Sequence, residues 1–470
     1  MKLLSILLLV PLLAGCIGAD DANDEPTSLQ TPPEEAIPFG DGHDHSDPDS
    51  HRASNGATLL DTDNLQRFGV SVDQVVGAHA ADIHENTLVV AVNAGETGGG
   101  QQGFHVFDIT NPEDLVHVAF WDAGTEVNGD RTIALSEDGK TVFLGFESGA
   151  RPGIAAVSIV DPANPVEVGF FSDPLGYGPH TLSTGYFGGT QYVFSLSIGV
   201  TILSYDEGQF VPVGRYITAD ELAALDALNY VVGGDPSYAQ TWVFRSIYAH
   251  DMNFYMHDGT PYLLVAYAYD GAKILDISNP ALPILQARWL PPAVQTETRD
   301  VKHYTHSMSG ETVDGRFIVV VGSETFEGEI NHIASPIWVL DATDAVSGLP
   351  LQNAPEHLST WGNPSEAPAG RLGLSVHFFR QLDGFLYLSH YHGGVWAFNL
   401  TTDEARRGME PIGFIMPLPE EPAIPFEECC IGWDLSGVPM VFDVVVDARH
   451  NVYAADIIQG VSSIRFHESP

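Results

Sequence analysis

The stretch Ala272-Lys273-Ile274-Leu275-Asp276-Ile277-Ser278-Asn279-Pro280 joins a short apolar run to a turn phrase. The same joint occurs twice more. Phe104 to Phe107 leads into Asp108-Ile109-Thr110-Asn111-Pro112, and Ala155 to Val160 leads into Asp161-Pro162-Ala163-Asn164-Pro165. Asp and Asn close turns through their side chains, and Pro then starts a new extended segment. A Gly precedes each run (Gly103, Gly153, Gly271), as a hairpin between two strands requires. Looser copies lie at Gly199 to Tyr205, Pro336 to Asp341, Gly394 to Asn399 and Gly460 to Phe466, which brings the count to seven.

Each copy is preceded by another run rich in β-branched and aromatic residues: Leu88–Val92, Val142–Phe146, Tyr192–Leu196, Tyr262–Ala266, Phe317–Val321, Phe385–Ser389 and Val452–Ala455. Earlier still stands a polar anchor: His79, Asp130, His180, His250, His306, His377 and Asp443. The anchors are spaced by 51, 50, 70, 56, 71 and 66 residues. A unit of this size with three or four strands is the signature of a propeller blade. The fold expected is all-β, a single β-propeller of seven four-stranded blades over residues 66–470. Arg67 to Asp73 are expected to complete the last blade. The longer intervals read as insertions. Thr218-Ala219-Asp220-Glu221 is a capping box opening a short helix, and 343–373 and 401–440 read as turn-rich excursions.

The phrase hydrophobic-Asp-Ile-Ser-Asn-Pro, with Val166 to Gly169 after one copy, resembles the LVIVD repeat of prokaryotic surface proteins. The resemblance implies a propeller on an exported protein and carries no catalytic motif. The N-terminus agrees with that address. Lys2 precedes an apolar segment from Leu3 to Leu13, too short for an ordinary membrane span, and Leu13-Ala14-Gly15-Cys16 resembles a lipobox. That resemblance implies a signal peptide over 1–15, a lipid on Cys16, and a chain held outside the cell membrane. Residues 16–65 read as a disordered acidic tether, with ten acids against Arg52 alone between positions 17 and 60. The tract Gly42-His43-Asp44-His45, running on to His51, reads as solvated linker able to hold divalent metal loosely.

The 470-residue chain carries 62 acidic and 19 basic side chains, a formal charge of −43. Such a balance excludes a nucleic-acid partner, which needs cationic patches. With four lysines against fifteen arginines, the composition resembles proteins of salt-loving organisms, whose self-repulsion is screened at molar salt. Gly98-Gly99-Gly100-Gln101-Gln102-Gly103 fits a dinucleotide fingerprint but lies between two strands with no helix after it, so it reads as a hairpin loop. His84-Glu85 lacks a second His four residues on. Cys429 and Cys430 are adjacent, open to a strained vicinal disulfide, two free thiols or a soft-metal contact.

The chemical lead is positional. His180, His250, His306 and His377 occupy equivalent places at the start of an innermost strand, where successive blades converge on the central channel. Four imidazoles so placed suit one Fe, Cu or Zn ion. The arrangement resembles, at the level of the fold, the four-His iron of carotenoid oxygenases. Asp443, Asp130 and His303 stand ready as further ligands or as groups orienting the rings, and His390 and His392 as imidazoles nearby. Equally, repeats duplicate any structural residue, and a His bonding a carbonyl between blades would recur in the same way. The leading functional expectation is a lipid-anchored propeller that binds a protein or small-molecule ligand at its face. A mononuclear metal-dependent oxidase or oxygenase is the alternative, and a structural envelope protein comes third.

Overall fold

The computed structural model describes residues 54–65, 77–93, 102–124, 127–128, 132–149, 151–173, 178–221, 249–292, 294–295, 300–301, 303–324, 335–362, 375–417, 439–457 and 459–470. These form seven four-stranded antiparallel blades. Blade 1 runs Gly77–His84, Thr87–Asn93, Gly103–Asp108, Val116–Asp122, and blade 2 Ile133–Leu135, Thr141–Phe146, Gly153–Ser158, Val166–Phe171. Blade 3 is Thr181–Phe187, Thr190–Ser197, Gly199–Asp206, Gln209–Tyr216, and blade 4 is Asp251–His257, Thr260–Tyr267, Gly271–Asp276, Ile284–Trp289. Blade 5 comprises Tyr304–Val313, Arg316–Glu324, Pro336–Asp341 and Glu356–Gly362. Blade 6 comprises Phe379–Leu382, Phe385–Ser389, Val395–Asn399 and Pro411–Ile415. Blade 7 takes Val441–Val446, Asn451–Asp456 and Gly460–Phe466 from the C-terminal end of the chain and its fourth strand, Ala57–Asp63, from the N-terminal side. First strands of successive blades touch all the way round, blade 7 meeting blade 1, so the ring is closed.

The closing strand corrects one expectation. Ala57–Asp63 pairs antiparallel with Gly460–Phe466, from Ala57 opposite Phe466 to Asp63 opposite Val461. The expected closing segment, Arg67 to Asp73, lies outside the described residues. The fold therefore begins inside the stretch assigned to the tether. Apolar Leu59 and Leu60 were the signal, outweighed by the acidic residues before them. Ser54–Asn55 adds a short fifth strand to the outer edge of blade 6. A second correction concerns the excursions. Glu356–Gly362 and Pro411–Ile415 are the fourth strands of blades 5 and 6, each preceded by a short helix, Thr343–Ser347 and Asp403–Gly408.

Every blade buries both faces, which is why its second strand reads as a near-continuous apolar run. Alternate residues go to opposite neighbours. Val89 and Ala91 pack with Val142 and Leu144 of blade 2, whereas Leu88 and Val90 pack with Val445 and Tyr453 of blade 7. The turn phrases work as their chemistry requires. Asp276 Oδ1 accepts Ser278 N–H at 2.8 Å, Asp108 Oδ1 accepts Thr110 N–H at 2.8 Å, and Asn279 Oδ1 accepts Ala281 N–H at 3.2 Å. The glycine before the third strand is equally specific. Gly271 has φ +81°, and a Cβ there would meet Trp289 O of the fourth strand at 2.4 Å. Gly460 has φ +91°, and its Cβ would meet Asp63 O of the closing strand at 2.3 Å. The capping box holds, with Thr218 N–H donating to Glu221 Oε2 at 2.7 Å and Glu221 N–H to Thr218 Oγ1 at 3.2 Å. Cys16, His43, His45, Asp130, Cys429 and Cys430 lie outside the described residues.

Candidate functional site

The first strands converge on a cavity of about 90 Å³, lined among others by His79, His180, His250, His306, Glu324 and His377. How the imidazoles reach it is a matter of register. In blade 5 the pairing of first and second strands slips between Thr305 and Ser307, and in blade 1 between Ala78 and Ala80. His306 and His79 are the extra residues of these β-bulges, and a bulge re-aims its side chain. In blades 3, 4 and 6 the histidine sits one step before the first strand pairs fully. His180, His250 and His377 donate backbone N–H groups to Leu196 O, Ala266 O and Ser389 O, at 2.7, 2.8 and 3.1 Å. Five of the seven anchors are thus structurally equivalent histidines. In blade 7 the slip falls between Val441 and Asp443, so the equivalent residue is Phe442. Asp443 stands one position on.

Four rings lie side by side in blade order. The centroids of His180 and His250 are 4.5 Å apart, those of His250 and His306 4.0 Å, and those of His306 and His377 4.4 Å. His180 Nε2 is 3.0 Å from His250 Nε2. His306 Nδ1 lies 3.2 Å from His377 O, and His377 Nδ1 lies 2.7 Å from Phe442 O. Each of these two rings is therefore held at Nδ1 by a carbonyl of the next residue in the ring of anchors, which leaves Nε2 for the cavity. Burial, reinforced by the neighbouring imidazoles, holds His250 and His306 well below the usual imidazole value, so both are neutral at pH 7.

Glu324 is the residue that the sequence reading missed. It ends the second strand of blade 5, opposite Tyr304, and is buried. Its Oε2 is 3.3 Å from His306 Nε2, its Oε1 is 4.0 Å from His377 Nε2, and its Oε1 accepts the Tyr391 hydroxyl proton. Tyr391 is itself buried and held at φ 45° in the turn between the second and third strands of blade 6. Glu147, just past the second strand of blade 2, lies 3.4 Å from His180 Nδ1 in the same way. An acid closing an apolar run was visible twice in the sequence; its approach to the anchors of neighbouring blades was not.

A carboxylate layer lies beside the histidines. Asp251 and Asp443 line the cavity together with Arg380, whose Nη2 is 3.7 Å from Asp443 Oδ1. Asp251 Oδ2 accepts Met308 N–H at 3.3 Å, Asp443 Oδ2 accepts Ala81 N–H at 3.0 Å, and Asp82 Oδ2 accepts Leu135 N–H at 2.7 Å. Burial pushes all three carboxyls up, Asp251 to about 6, while the Arg380 charge pulls against it. These bonds fasten blade 4 to blade 5, blade 7 to blade 1 and blade 1 to blade 2. His303 is placed elsewhere, its ring edge-on to Trp338 at 5.0 Å, and burial lowers it to about 4. His390 packs edge-on to Trp361 at 6.0 Å, and neither it nor His392 is among the residues lining the cavity.

Fold and site together define a seven-bladed β-propeller with a small polar cavity on its axis. No protein-family model matches the chain, and no curated protein matches it in sequence, so the LVIVD resemblance stands on the repeat phrases themselves. Among solved structures, the chain is similar to the WD40 β-propeller domain of Doa1, with a TM-score of 0.47 and 11% identity over 88% of this chain and 97% of that one. It is also similar to Saccharomyces cerevisiae Sqt1, with a TM-score of 0.46 and 9% identity over 83% and 96%. The fold assignment rests on the strand pairing itself.

Proposed function

We propose that the chain is an extracytoplasmic propeller, anchored through a lipid on Cys16, that binds a small ligand in its axial cavity and a partner over the rim. The observation that supports this reading is the convergence of five equivalent histidines and Glu324 on one cavity where the first strands of the ring meet. Concave sites with a few convergent polar groups are where propellers and other closed folds bind. A cavity of about 90 Å³ has room for an ion with its coordinated waters or for a small molecule. Native mass spectrometry of protein extracted from its own membranes tests the reading. A small mass should accompany the chain and vanish in Asn253→Phe, which fills the cavity from a half-buried lining position. An extracted chain with no bound mass, and with rim contacts unchanged by that substitution, would count against it.

A metal-dependent oxidase or oxygenase is the second reading. It is favoured by the side-by-side rings of His180, His250, His306 and His377 and requires a redox metal with an open coordination position. Oxygen consumption by the iron- or copper-loaded protein, absent in the metal-free protein, separates it from simple binding.

A further inference from the structure

We infer that the axial cavity is a site for one divalent first-row transition-metal ion, bound by His250, His306 and Glu324, with His180 and His377 flanking these ligands. The inference rests on the cavity being the ligand site and names what occupies it. One donor atom from each of His250, His306 and Glu324 can be chosen so that all lie within 4.8 Å of one another. Metal–nitrogen and metal–oxygen bonds of about 2.0–2.2 Å place neighbouring ligand atoms roughly 3 Å apart and opposed ones about 4.4 Å apart. The 3.3 Å from His306 Nε2 to Glu324 Oε2 is a neighbouring-ligand distance. His306 Nε2 also lacks the alignment of a hydrogen bond to that carboxylate, as expected of two atoms directed at a third point.

The surroundings fit the chemistry. Neutral imidazole is the ligand form, and His250 and His306 are both buried side chains facing the cavity. His306 and His377 donate from Nδ1 to backbone carbonyls, the outer hydrogen bond that fixes a metal-binding ring and its tautomer. Glu324 is oriented by Tyr391, so the carboxylate is held from behind as well. A buried carboxylate among neutral imidazoles is costly to desolvate, and a divalent ion at their centre offsets that cost. The donor set selects the metal class. Two imidazole nitrogens with one carboxylate suit Zn, Fe, Co, Ni or Cu, whereas Ca and Mg prefer oxygen alone. Two histidines and one carboxylate on one side of an ion also leave positions open for an exogenous ligand.

Cobalt(II) is the probe. The full mature chain, made without a histidine tag and with His43, His45 and His51 replaced by Ala, is titrated with Co(II) and read by its visible ligand-field bands. One ion per chain with bands of four- or five-coordinate intensity is expected, together with a rise in melting temperature. Glu324→Gln keeps the side-chain shape and should weaken binding by about tenfold or more, as should His306→Ala. His303→Ala should bind as the parent does. Far-UV circular dichroism checks folding, and if His306→Ala is unfolded, Glu324→Gln decides. A folded parent showing only the weak bands of hexaaquo cobalt, or equal binding by parent and Glu324→Gln, would overturn the site. If cobalt fails while Asn253→Phe still removes a bound small mass, the metal is wrong and the cavity reading survives. If both fail, both fall.

Discussion

The Asp443 carboxylate accepts the backbone N–H of Ala81 at 3.0 Å, joining residues 362 positions apart in the chain. This bond closes the inner ring between the last blade and the first, and both groups are buried. Asp443→Ala leaves the Ala81 N–H without that acceptor in a dry environment, which costs about 1–3 kcal/mol. Asp443→Asn, retaining an acceptor oxygen, should cost less. Equilibrium unfolding in urea measures both, and equal, near-zero losses would show that the joint does not depend on this bond.

The outer closure makes a separate prediction. Asp61 sits in the closing strand, and its Oδ2 accepts Leu115 N–H of blade 1 at 2.7 Å. Removing residues 54–63 takes away the fourth strand of blade 7 and should abolish a single cooperative melting transition. Removing residues 17–50 should leave it unchanged. Calorimetry on the two deletions distinguishes this from closure through residues 67–73.

Tyr391 connects blade 6 to the acid of blade 5. Tyr391→Phe keeps the ring packed on His377 and Phe442, each at 5.0 Å, and removes only the hydroxyl that donates to Glu324. Stability of the metal-free protein should fall by about 1–3 kcal/mol, the range for a buried hydrogen bond to a polar or charged group. A variant as stable as the parent would show that Glu324 needs no such donor.

Acid should weaken the fold partly through His303. Its value in the fold, about 4, lies below the ordinary 6.5, so between those two pH values the unfolded chain holds a proton that the native chain does not. Stability therefore rises with pH across that window and is lost on acidification from 6.5 toward 4. His303→Phe preserves a ring against Trp338 and should flatten this part of the profile. Melting temperatures of parent and variant from pH 7 to 4 provide the test, and parallel curves would assign the acid loss to other groups.

The N-terminal address and the charge are checked together. Cys16→Ser should release the chain from membranes or leave it unprocessed, and fractionation reads the result. With a formal charge of −43, self-repulsion should be relieved as the screening length shrinks from about 10 Å at 0.1 M salt to about 3 Å at 1 M. The melting temperature should climb over that range, and a flat profile would remove the halophilic reading.

Local chemistry determined the blade count and the placing of every second and third strand. An Asp that captures its own N–H two residues on, a Gly that alone fits beneath the fourth-strand carbonyl, and a two-faced apolar strand are each legible within a dozen residues. The fourth strands of blades 5 and 6 were hidden because half-exposed outer strands lack that apolar signature. The closing strand was hidden because its partner, Gly460–Phe466, is some 400 residues away. For the site, the sequence identified the equivalent histidines, since repetition preserves position. It did not show that a one-residue slip in blade 7 puts Phe442 where Asp443 was expected, because a bulge leaves no mark on composition. Nor did it show Glu324. A carboxylate at the end of one strand becomes a partner of imidazoles from neighbouring blades only when the closed ring brings their first strands to a common axis.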